Sequence, residues 1–385
     1  MAKGPARFVP IDVLRGFVMV LMSIDHGSEL FNKGRVFTDS IMFWKPGTPL
    51  PLDQFLTRWM THLCAPTFVF LAGASLAMST ESRLAAGDSP RTVDLHIAKR
   101  GLLLIAFEFL WMSWCMRSPG EFLGQVLYAI GASLLFMIPL RRLGDRALLG
   151  VGLAWVALGE LVYGLLAMNK LEGSLPAGFL VTGGFFGKGR LIVAYPAFGW
   201  LAIMAIGWVF GRKLLAWKKA GLDVDRTATR VLAIAGGASL VVFGIVRGIN
   251  GYGNMLLVRE DGSLAHWLHV SKYPPSVTFV GLELGIMALL LAALFAYSSK
   301  REGESFGGPL LLIGQTALFY YLLHIHVLTL VGWLTGWHDS KHDHGTLGLW
   351  SAYVFGLAIV IALYPLCAWY RKKKAAHPRS ILQYV

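Results

Sequence analysis

Long apolar runs separated by short polar segments recur along this chain, and most are long enough to cross a bilayer as helices. The first run is the most polar because it carries Asp12, Arg15 and Asp25. No small-residue cleavage site follows it, so we expect a retained helix and not a signal peptide. The pattern predicts an all-α, polytopic membrane helical bundle of about ten spans, with residues 1–385 forming a single domain. The spans are expected near residues 9–30, 58–79, 98–116, 122–140, 147–168, 190–211, 228–248, 277–298, 308–335 and 347–370.

Composition supports this assignment. Of the 385 residues, 55% are hydrophobic and 15% are charged, whereas a soluble domain has about 25% charged residues. Most Lys and Arg residues fall in segments on the side of the N-terminus, so the positive-inside rule predicts that both termini are cytoplasmic. The net charge of +13 is interpreted as this topology signal, and no nucleic-acid partner is expected.

Arg15 and His26 lie on one face of the first predicted helix. A step of eleven residues turns roughly 1100°, within about 20° of three full turns, and rises about 16 Å. Basic groups inside a membrane helix are costly, which marks them as candidate functional groups. Histidine suits general-base chemistry, and arginine binds phosphate through paired hydrogen bonds. We expect an acyl donor to bind at Arg15 from the cytosol and to extend towards His26, while an acceptor arrives from outside.

Histidines from three predicted helices converge on the outer half of the membrane. His26 ends the first span, His62 begins the second, and His324 and His326 lie in the ninth. We predict that His26, Asp25 and His62 are catalytic, with a histidine acting as base or acyl relay. His324 and His326 are predicted to bind substrate.

Further candidates lie at the ends of later spans. Tyr195, in AYPAFGW, is predicted to bind the cofactor together with Arg15. Lys272 and Tyr273, in SKYPPS, are predicted to bind substrate. Three carboxylates inside predicted spans have roles that the sequence leaves open: Glu108, Glu160 and Glu283.

Five of these segments resemble one family, in the same order. They are IDVLRGFVMVLMSIDH, THLCAPTFVFLAGASLA (61–77), AYPAFGWLAIMAIGWVFG (194–211), SKYPPS and ALFYYLLHIH (317–326). From about residue 8 to 335, the chain resembles bacterial members of the heparan-alpha-glucosaminide N-acetyltransferase catalytic-domain family. The first segment is also similar to the first helix of membrane acyltransferases that O-acylate bacterial surface glycans.

The resemblance implies a transmembrane acyltransferase of the bacterial cytoplasmic (inner) membrane. Acetyl-CoA or another acyl-CoA would be the cytosolic donor, and an amine or hydroxyl of a glycan or similar small molecule would be the acceptor outside. Residues 27–57 contain no histidine, so the luminal-loop histidine of the lysosomal family member has no counterpart here. The partners are then the lipid bilayer and the acceptor, and the sequence leaves a homo-oligomer open.

Other function classes remain open from the residues alone. A proton-coupled transporter or flippase would relay protons through the intramembrane His, Asp and Glu groups and would yield no acyl product. An electron-transfer protein would ligate haem through histidines of two helices. The segment HDSKHDH (338–344) has histidines at metal-like spacing but is expected to be a solvated loop, so no metal is expected.

Overall fold

Helices account for most of the chain in this computed structural model, which describes residues 7–117, 120–300, 306–339, 344–377, 380 and 382. The helices of the first half are α1 Val9–Phe31, α2 Leu52–Met60, α3 Cys64–Ala85, α4 Pro90–Ala106, α5 Ser113–Met116, α6 Val126–Leu140, α7 Asp145–Met168 and α8 Leu175–Ala177. Those of the second half are α9 Ala197–Lys219, α10 Val224–Ile249, α11 Leu264–Leu268, α12 Val277–Ser299, α13 Gly308–Gln315, α14 Ala317–Thr335 and α15 Trp350–Ala376.

The structure is mostly helical, as predicted for a membrane bundle, but the predicted count of about ten spans is not confirmed. Among the described residues, seven helices are long and apolar enough to cross a membrane, counting α2 and α3 as one. The three other predicted spans are helical but do not meet those limits. α1 carries charged residues, and α4 is separated from α5 by a π-helical turn at Phe107–Met112. α6 has 15 residues, so it rises about 22 Å and is shorter than a hydrocarbon core of about 30 Å.

α1 lies at the centre of the bundle, where it packs against α3, α12, α13, α14 and α15. Glycines allow its backbone to touch that of α13. A Cβ added at Gly314 would lie 1.8 Å from the carbonyl oxygen of Asp12, and one added at Gly16 would lie 1.9 Å from that of Leu310. Small residues are what permit such close helix contacts in membranes. The polar side chains of α1 therefore face protein, which explains how this helix tolerates them.

The predicted ninth span is two helices, with a break at Thr316. The Thr316 hydroxyl donates to the Leu312 carbonyl oxygen at 3.0 Å, a local bond that competes with regular helix geometry. The backbone at Thr316 leaves the helical region, with φ −119° and ψ 23°. The residue pair Tyr320 and Tyr321, followed by His324, then lies in the first two turns of α14.

A small sheet and two long loops cover the end of the bundle where His26 lies. The strands are β1 Phe122–Gly124, β2 Gly184–Phe186 and β3 Leu191–Val193, with β3 between the others. β3 pairs parallel with β1 and antiparallel with β2. A further short pair, β4 His338–Asp339 and β5 His344–Gly345, is antiparallel.

The loop of residues 32–51 is fastened to the loop of residues 250–276. The backbone N–H of Lys272 donates to the Asp39 carbonyl oxygen at 2.8 Å, and that of Gly47 donates to the Glu260 carboxylate at 2.8 Å. The bonds of Lys272 and Gly47 fix the 32–51 loop, which forms one wall of the site described next. In the 250–276 loop, burial lowers the pKa of His269 to about 4, so its ring is neutral at physiological pH.

Candidate functional site

His26 and His324 form a direct hydrogen bond in which the geometry fixes the tautomers. His324 Nδ1 lies 3.1 Å from the Tyr320 carbonyl oxygen and 2.9 Å from that of Tyr321. Since a carbonyl oxygen only accepts, Nδ1 carries the proton and Nε2 of the neutral ring is an acceptor. His26 Nδ1 lies 2.7 Å from that Nε2 and must therefore be the donor.

This chain of donors leaves Nε2 of His26 as a lone-pair acceptor. The two imidazoles also stack, with ring centroids 4.9 Å apart. His26 is 7% exposed, and it lines a cavity of about 380 Å³, here called the His26 cavity. A neutral imidazole with a defined tautomer, whose Nε2 has no partner among the described residues, has the requirements of a general base.

The His26 cavity has both aromatic and charged walls. Its aromatic rings come from Phe37 and Phe43 of the 32–51 loop, Phe185 of β2, and the residues Tyr195 and Tyr273. Its charged walls are Asp25, Glu29, Lys33, Arg35, Arg58 and Arg117. Binding cavities usually combine an apolar lining with a few convergent polar groups, and this cavity fits that description.

Asp25 is held by three donors beside the His26 cavity. Arg58 Nη1 lies 2.7 Å from both carboxylate oxygens, Arg35 Nη1 lies 3.0 Å from one, and the Thr61 hydroxyl donates at 3.0 Å. Asp25 therefore accepts from cations and a hydroxyl and is not bonded to His26. Its geometry is that of an anchor between α1 and α2.

Arg58 joins Asp25 to a second buried carboxylate, Asp39. Its Nε and Nη2 donate to Asp39 Oδ2 at 2.8 and 2.5 Å. Burial disfavours the charged form of Asp39 and raises its pKa. Arg58 and then His62 together have the larger, opposite effect and hold the pKa of Asp39 below its usual range. The carboxylate is thus ionised at physiological pH, and the stability it supplies is lost only as pH falls through that depressed pKa.

His62 belongs to this ion network and not to the cavity walls, as far as the described residues go. Its Nε2 lies 3.1 Å from Asp39 Oδ1, an ion-pair distance without the alignment of a hydrogen bond. The ring is 1% exposed. The structure brings His62 close to Asp39 but not to His26. His62 therefore packs against the 32–51 loop through Asp39.

Tyr195 and Tyr273 line the His26 cavity, and Lys272 lies beside both rings. The two phenol oxygens lie 3.4 Å apart, and Arg58 Nη2 donates to Tyr273 at 3.4 Å. The Lys272 ammonium lies 5.2 Å from the Tyr273 ring centroid and 5.9 Å from that of Tyr195, in cation–π range. The sequence predicts Tyr195 for the donor side with Arg15, but the structure places it in the His26 cavity.

Arg15 lines a second cavity of about 250 Å³, here called the Arg15 cavity. Its guanidinium donates to Asp12 at 2.7 Å and to the Ser75 hydroxyl at 2.9 Å. Arg100 and Lys374 line the same cavity, and the remaining walls are mostly apolar. The buried Arg100 Nε has no hydrogen-bond partner among the described residues. Three cations with one nearby carboxylate make this cavity suited to an anionic group.

The two cavities are separate. The sequence predicts one path from Arg15 to His26, but the two cavities share no lining residue. The layer between them includes Leu127 and Tyr321 on the Arg15 side, and Gln125 on the His26 side. α14 connects the two, because Tyr321 lines one cavity and its carbonyl oxygen fixes His324, the partner of His26.

The structure does not bring His326 to this cluster. Two residues along a helix turn about 200°, so His326 faces away from His324. Its ring stacks on Trp111 with centroids 4.4 Å apart, and its Nε2 lies 3.3 Å from the Trp111 carbonyl oxygen. The neighbouring Trp114 is 63% exposed, which places His326 on the outer surface of the bundle.

Two of the three intramembrane carboxylates satisfy backbone groups. Glu108 Oε2 accepts from the N–H groups of Leu127 and Tyr128 at 2.7 and 3.0 Å, at the start of α6. Glu160 Oε2 accepts from Gly253 and Met255 at 2.7 and 2.9 Å. Glu283 is 1% exposed, and its Oε1 has no partner among the described residues.

No group of three or more His, Cys, Asp or Glu residues in the described part of the chain is arranged to hold a metal ion. Residues 340–343 of the segment HDSKHDH lie outside the described residues.

Arg58, Asp39, Arg35 and Arg100 belong to the site but are not among the residues predicted from the sequence. The sequence gives one local indication for Arg58: it precedes His62 by four residues, so on a helix the two side chains lie on the same face. Asp39 lies in a loop and meets Arg58 only through folding, and nothing near it in the sequence indicates that contact. Arg100 belongs to a basic helix end that resembles a topology signal.

A family model described as heparan-alpha-glucosaminide N-acetyltransferase, catalytic, matches residues 7–247, which is more than half of the chain. No curated protein matches. The matched range includes Arg15, His26 and Tyr195, whereas Lys272, Tyr273 and His324 lie beyond it. The family predicted from the five sequence segments is thereby confirmed.

Proposed function

Since the chain belongs to the heparan-alpha-glucosaminide N-acetyltransferase catalytic family, we propose that it transfers an acyl group, acetyl first, from acyl-CoA in the Arg15 cavity to an acceptor in the His26 cavity. The acceptor is an amine or hydroxyl of a glycan or similar small molecule. The observation that carries the proposal is the hydrogen-bonded pair of His26, which lines one cavity, and His324, which is bound by the carbonyl oxygen of Tyr321, a residue that lines the other.

The Arg15 cavity supports the donor half of the proposal. Coenzyme A carries phosphate groups, and guanidinium groups bind phosphate through paired, charge-assisted hydrogen bonds. Arg15, Arg100 and Lys374 supply the cations, and the apolar walls suit the acyl-bearing arm. The arm then points along α1 towards His26, about 16 Å from Arg15 by helix rise.

The His26 cavity supports the acceptor half. Its aromatic rings offer flat apolar faces, and its charged groups offer hydrogen bonds, a combination that suits a polar ring such as a sugar. Lys and Arg residues are concentrated on the side of Arg15, which supports a cytosolic donor and an acceptor on the opposite face of a bacterial inner membrane.

His26 acts as the general base in this proposal. Its Nε2 takes the proton of the attacking hydroxyl or amine, and the nucleophile adds to the acyl carbon. The carbon–sulfur bond then breaks, and His26 returns the proton to the leaving thiolate. His324 holds His26 in the tautomer that keeps Nε2 free. The layer containing Leu127 and Tyr321 must move for the donor arm to reach His26, as gating layers do in many enzymes.

The test uses the purified protein in liposomes, supplied with acetyl-CoA and a panel of amino sugars and hydroxylated sugars. Release of coenzyme A thiol is followed together with acylated product by mass spectrometry. We expect activity in the wild type and in His326→Ala, a matched histidine change on α14, and a loss of at least about 10²-fold in His26→Ala. Arg15→Ala should raise the KM for acetyl-CoA.

Envelope glycans of cells with and without the intact gene provide the second arm. An acyl group that is lost from a glycan when the gene is deleted, and is also missing in His26→Ala cells, supports the proposal. Full activity of His26→Ala, or proton-dependent flux of a substrate without any acyl product, would overturn it.

A further inference from the structure

We infer that Tyr321 is a further catalytic residue, whose phenolic hydroxyl donates a hydrogen bond to the carbonyl oxygen of the acyl donor during transfer. This inference rests on the proposed function and identifies a group that the reaction needs and the histidine pair does not supply. An acyl transfer develops negative charge on that oxygen, and stabilising it is usually the largest single contribution to catalysis.

The position of Tyr321 is the first support. It lines the Arg15 cavity and is 5% exposed. Its ring centroid lies 5.7 Å from that of His324, which in turn lies 4.9 Å from that of His26. Tyr321 therefore stands at the boundary that the acyl carbon must reach.

The free hydroxyl of Tyr321 is the second support, and its neighbour gives the contrast. The Tyr320 hydroxyl lies 2.6 Å from Ser23 Oγ and is fully engaged in packing α14 against α1. The Tyr321 hydroxyl has no hydrogen-bond partner among the described residues, although its ring is buried. Buried phenol groups normally have a partner, so a free one that faces a cavity indicates a ligand group as the partner.

The hydroxyl is the donor that Tyr321 itself can offer at this boundary. Tyr321 lies inside α14, where its own backbone N–H is used by the helix. In the transfer step the nucleophile bonds to the acyl carbon, the carbonyl electron pair moves onto oxygen, and Tyr321 donates to that oxygen while keeping its own proton. The pair returns as the carbon–sulfur bond breaks, and His26 protonates the thiolate.

Tyr321→Phe tests the inference, with Tyr128→Phe as the control, because the Tyr128 hydroxyl donates to the Phe179 carbonyl oxygen at 2.9 Å and Tyr128 lines neither cavity. Steady-state kinetics with acetyl-CoA and the accepted sugar should show a kcat about 10²–10³-fold lower in Tyr321→Phe. The KM for acetyl-CoA should change less than about threefold, since the hydrogen bond strengthens only in the transition state. Tyr128→Phe should lower the melting temperature and leave kcat within about threefold of the wild type.

A kcat in Tyr321→Phe within threefold of the wild type would overturn the inference, as would a loss that appears only in KM. The proposed function fails separately, if the wild type transfers no acyl group or His26→Ala transfers it normally. If Tyr321→Phe does not fold, an infrared measurement on the wild-type protein tests the inference instead. The infrared carbonyl stretch of bound ¹³C-labelled acetyl-CoA should lie below its value in an apolar solvent, as for a carbonyl that accepts a hydrogen bond, and a frequency equal to or above the apolar value would overturn the inference.

Discussion

Replacement of His324 tests how the histidine pair works. His324 Nε2 accepts the Nδ1 proton of His26 at 2.7 Å, and its own Nδ1 is bound to two backbone carbonyl oxygens. His324→Ala removes the acceptor, so His26 no longer has a defined tautomer. His324→Gln keeps an amide oxygen that can accept from Nδ1 of His26.

The expected magnitude follows from this geometry. The lost hydrogen bond contributes about 0.5–1.5 kcal/mol, which is about 2–12-fold in rate. Molecules with the proton on Nε2 of His26 lack a base altogether, which adds to the loss. We expect kcat to fall about 10–10²-fold in His324→Ala, less than the 10²–10⁴-fold typical for removal of a base such as His26. His324→Gln should recover about half of that loss on a logarithmic scale, because its amide oxygen can still accept the Nδ1 proton of His26.

The assay is thiol release from acetyl-CoA by each variant in liposomes, with His326→Ala as the control. Circular dichroism and the melting temperature confirm that each variant is folded. If His324→Ala matches the wild type, His324 does not orient His26. If His324→Gln is no more active than His324→Ala, the role assigned to the acceptor atom is wrong.

Three further changes probe other parts of the structure. Arg100→Gln should raise the KM for acetyl-CoA about 10–100-fold, the value of one charge-assisted phosphate contact, with kcat within a few fold; an unchanged KM would remove Arg100 from the donor site. Arg58→Met leaves two buried carboxylates without their shared cation, so it should cost about 3–5 kcal/mol in unfolding free energy. Adding Asp39→Asn to Arg58→Met should restore part of that stability in a detergent melt, and a further loss would contradict the ion network. Gly314→Ala should lower the melting temperature, because its Cβ would lie 1.8 Å from a backbone oxygen, whereas Gly237→Ala, with open space around its Cβ, should not.

Local periodicity predicts the helices of this protein well, because apolar spans are long and turn residues interrupt them. It predicts α1 as a helix and places Arg15 and His26 at the spacing that the structure retains. It also brings His26 and His324 to one level of the bundle. It does not show that these two imidazoles share a hydrogen bond, since that contact joins residues 298 positions apart.

The features that the sequence does not predict depend on contacts that form only when the chain folds. Asp39 comes from a loop, Arg58 from α2, and their bond depends on how the 32–51 loop closes over the bundle. The break at Thr316 comes from a side-chain bond to the backbone, which a hydropathy pattern does not record. The separation of the two cavities depends on the packing of Leu127 and Tyr321, and side-chain packing of this kind has no signature in the sequence.

We propose that an acyl-CoA bound at Arg15 presents its acyl carbon to His26 through the layer at Tyr321. A cryo-EM structure with a non-hydrolysable acetyl-CoA analogue would locate both ends of the donor. We expect phosphate density beside Arg15 and Arg100, with the acyl group next to Tyr321 on the path to His26. Density for the analogue in the His26 cavity alone, or phosphates bound away from Arg15, would contradict it.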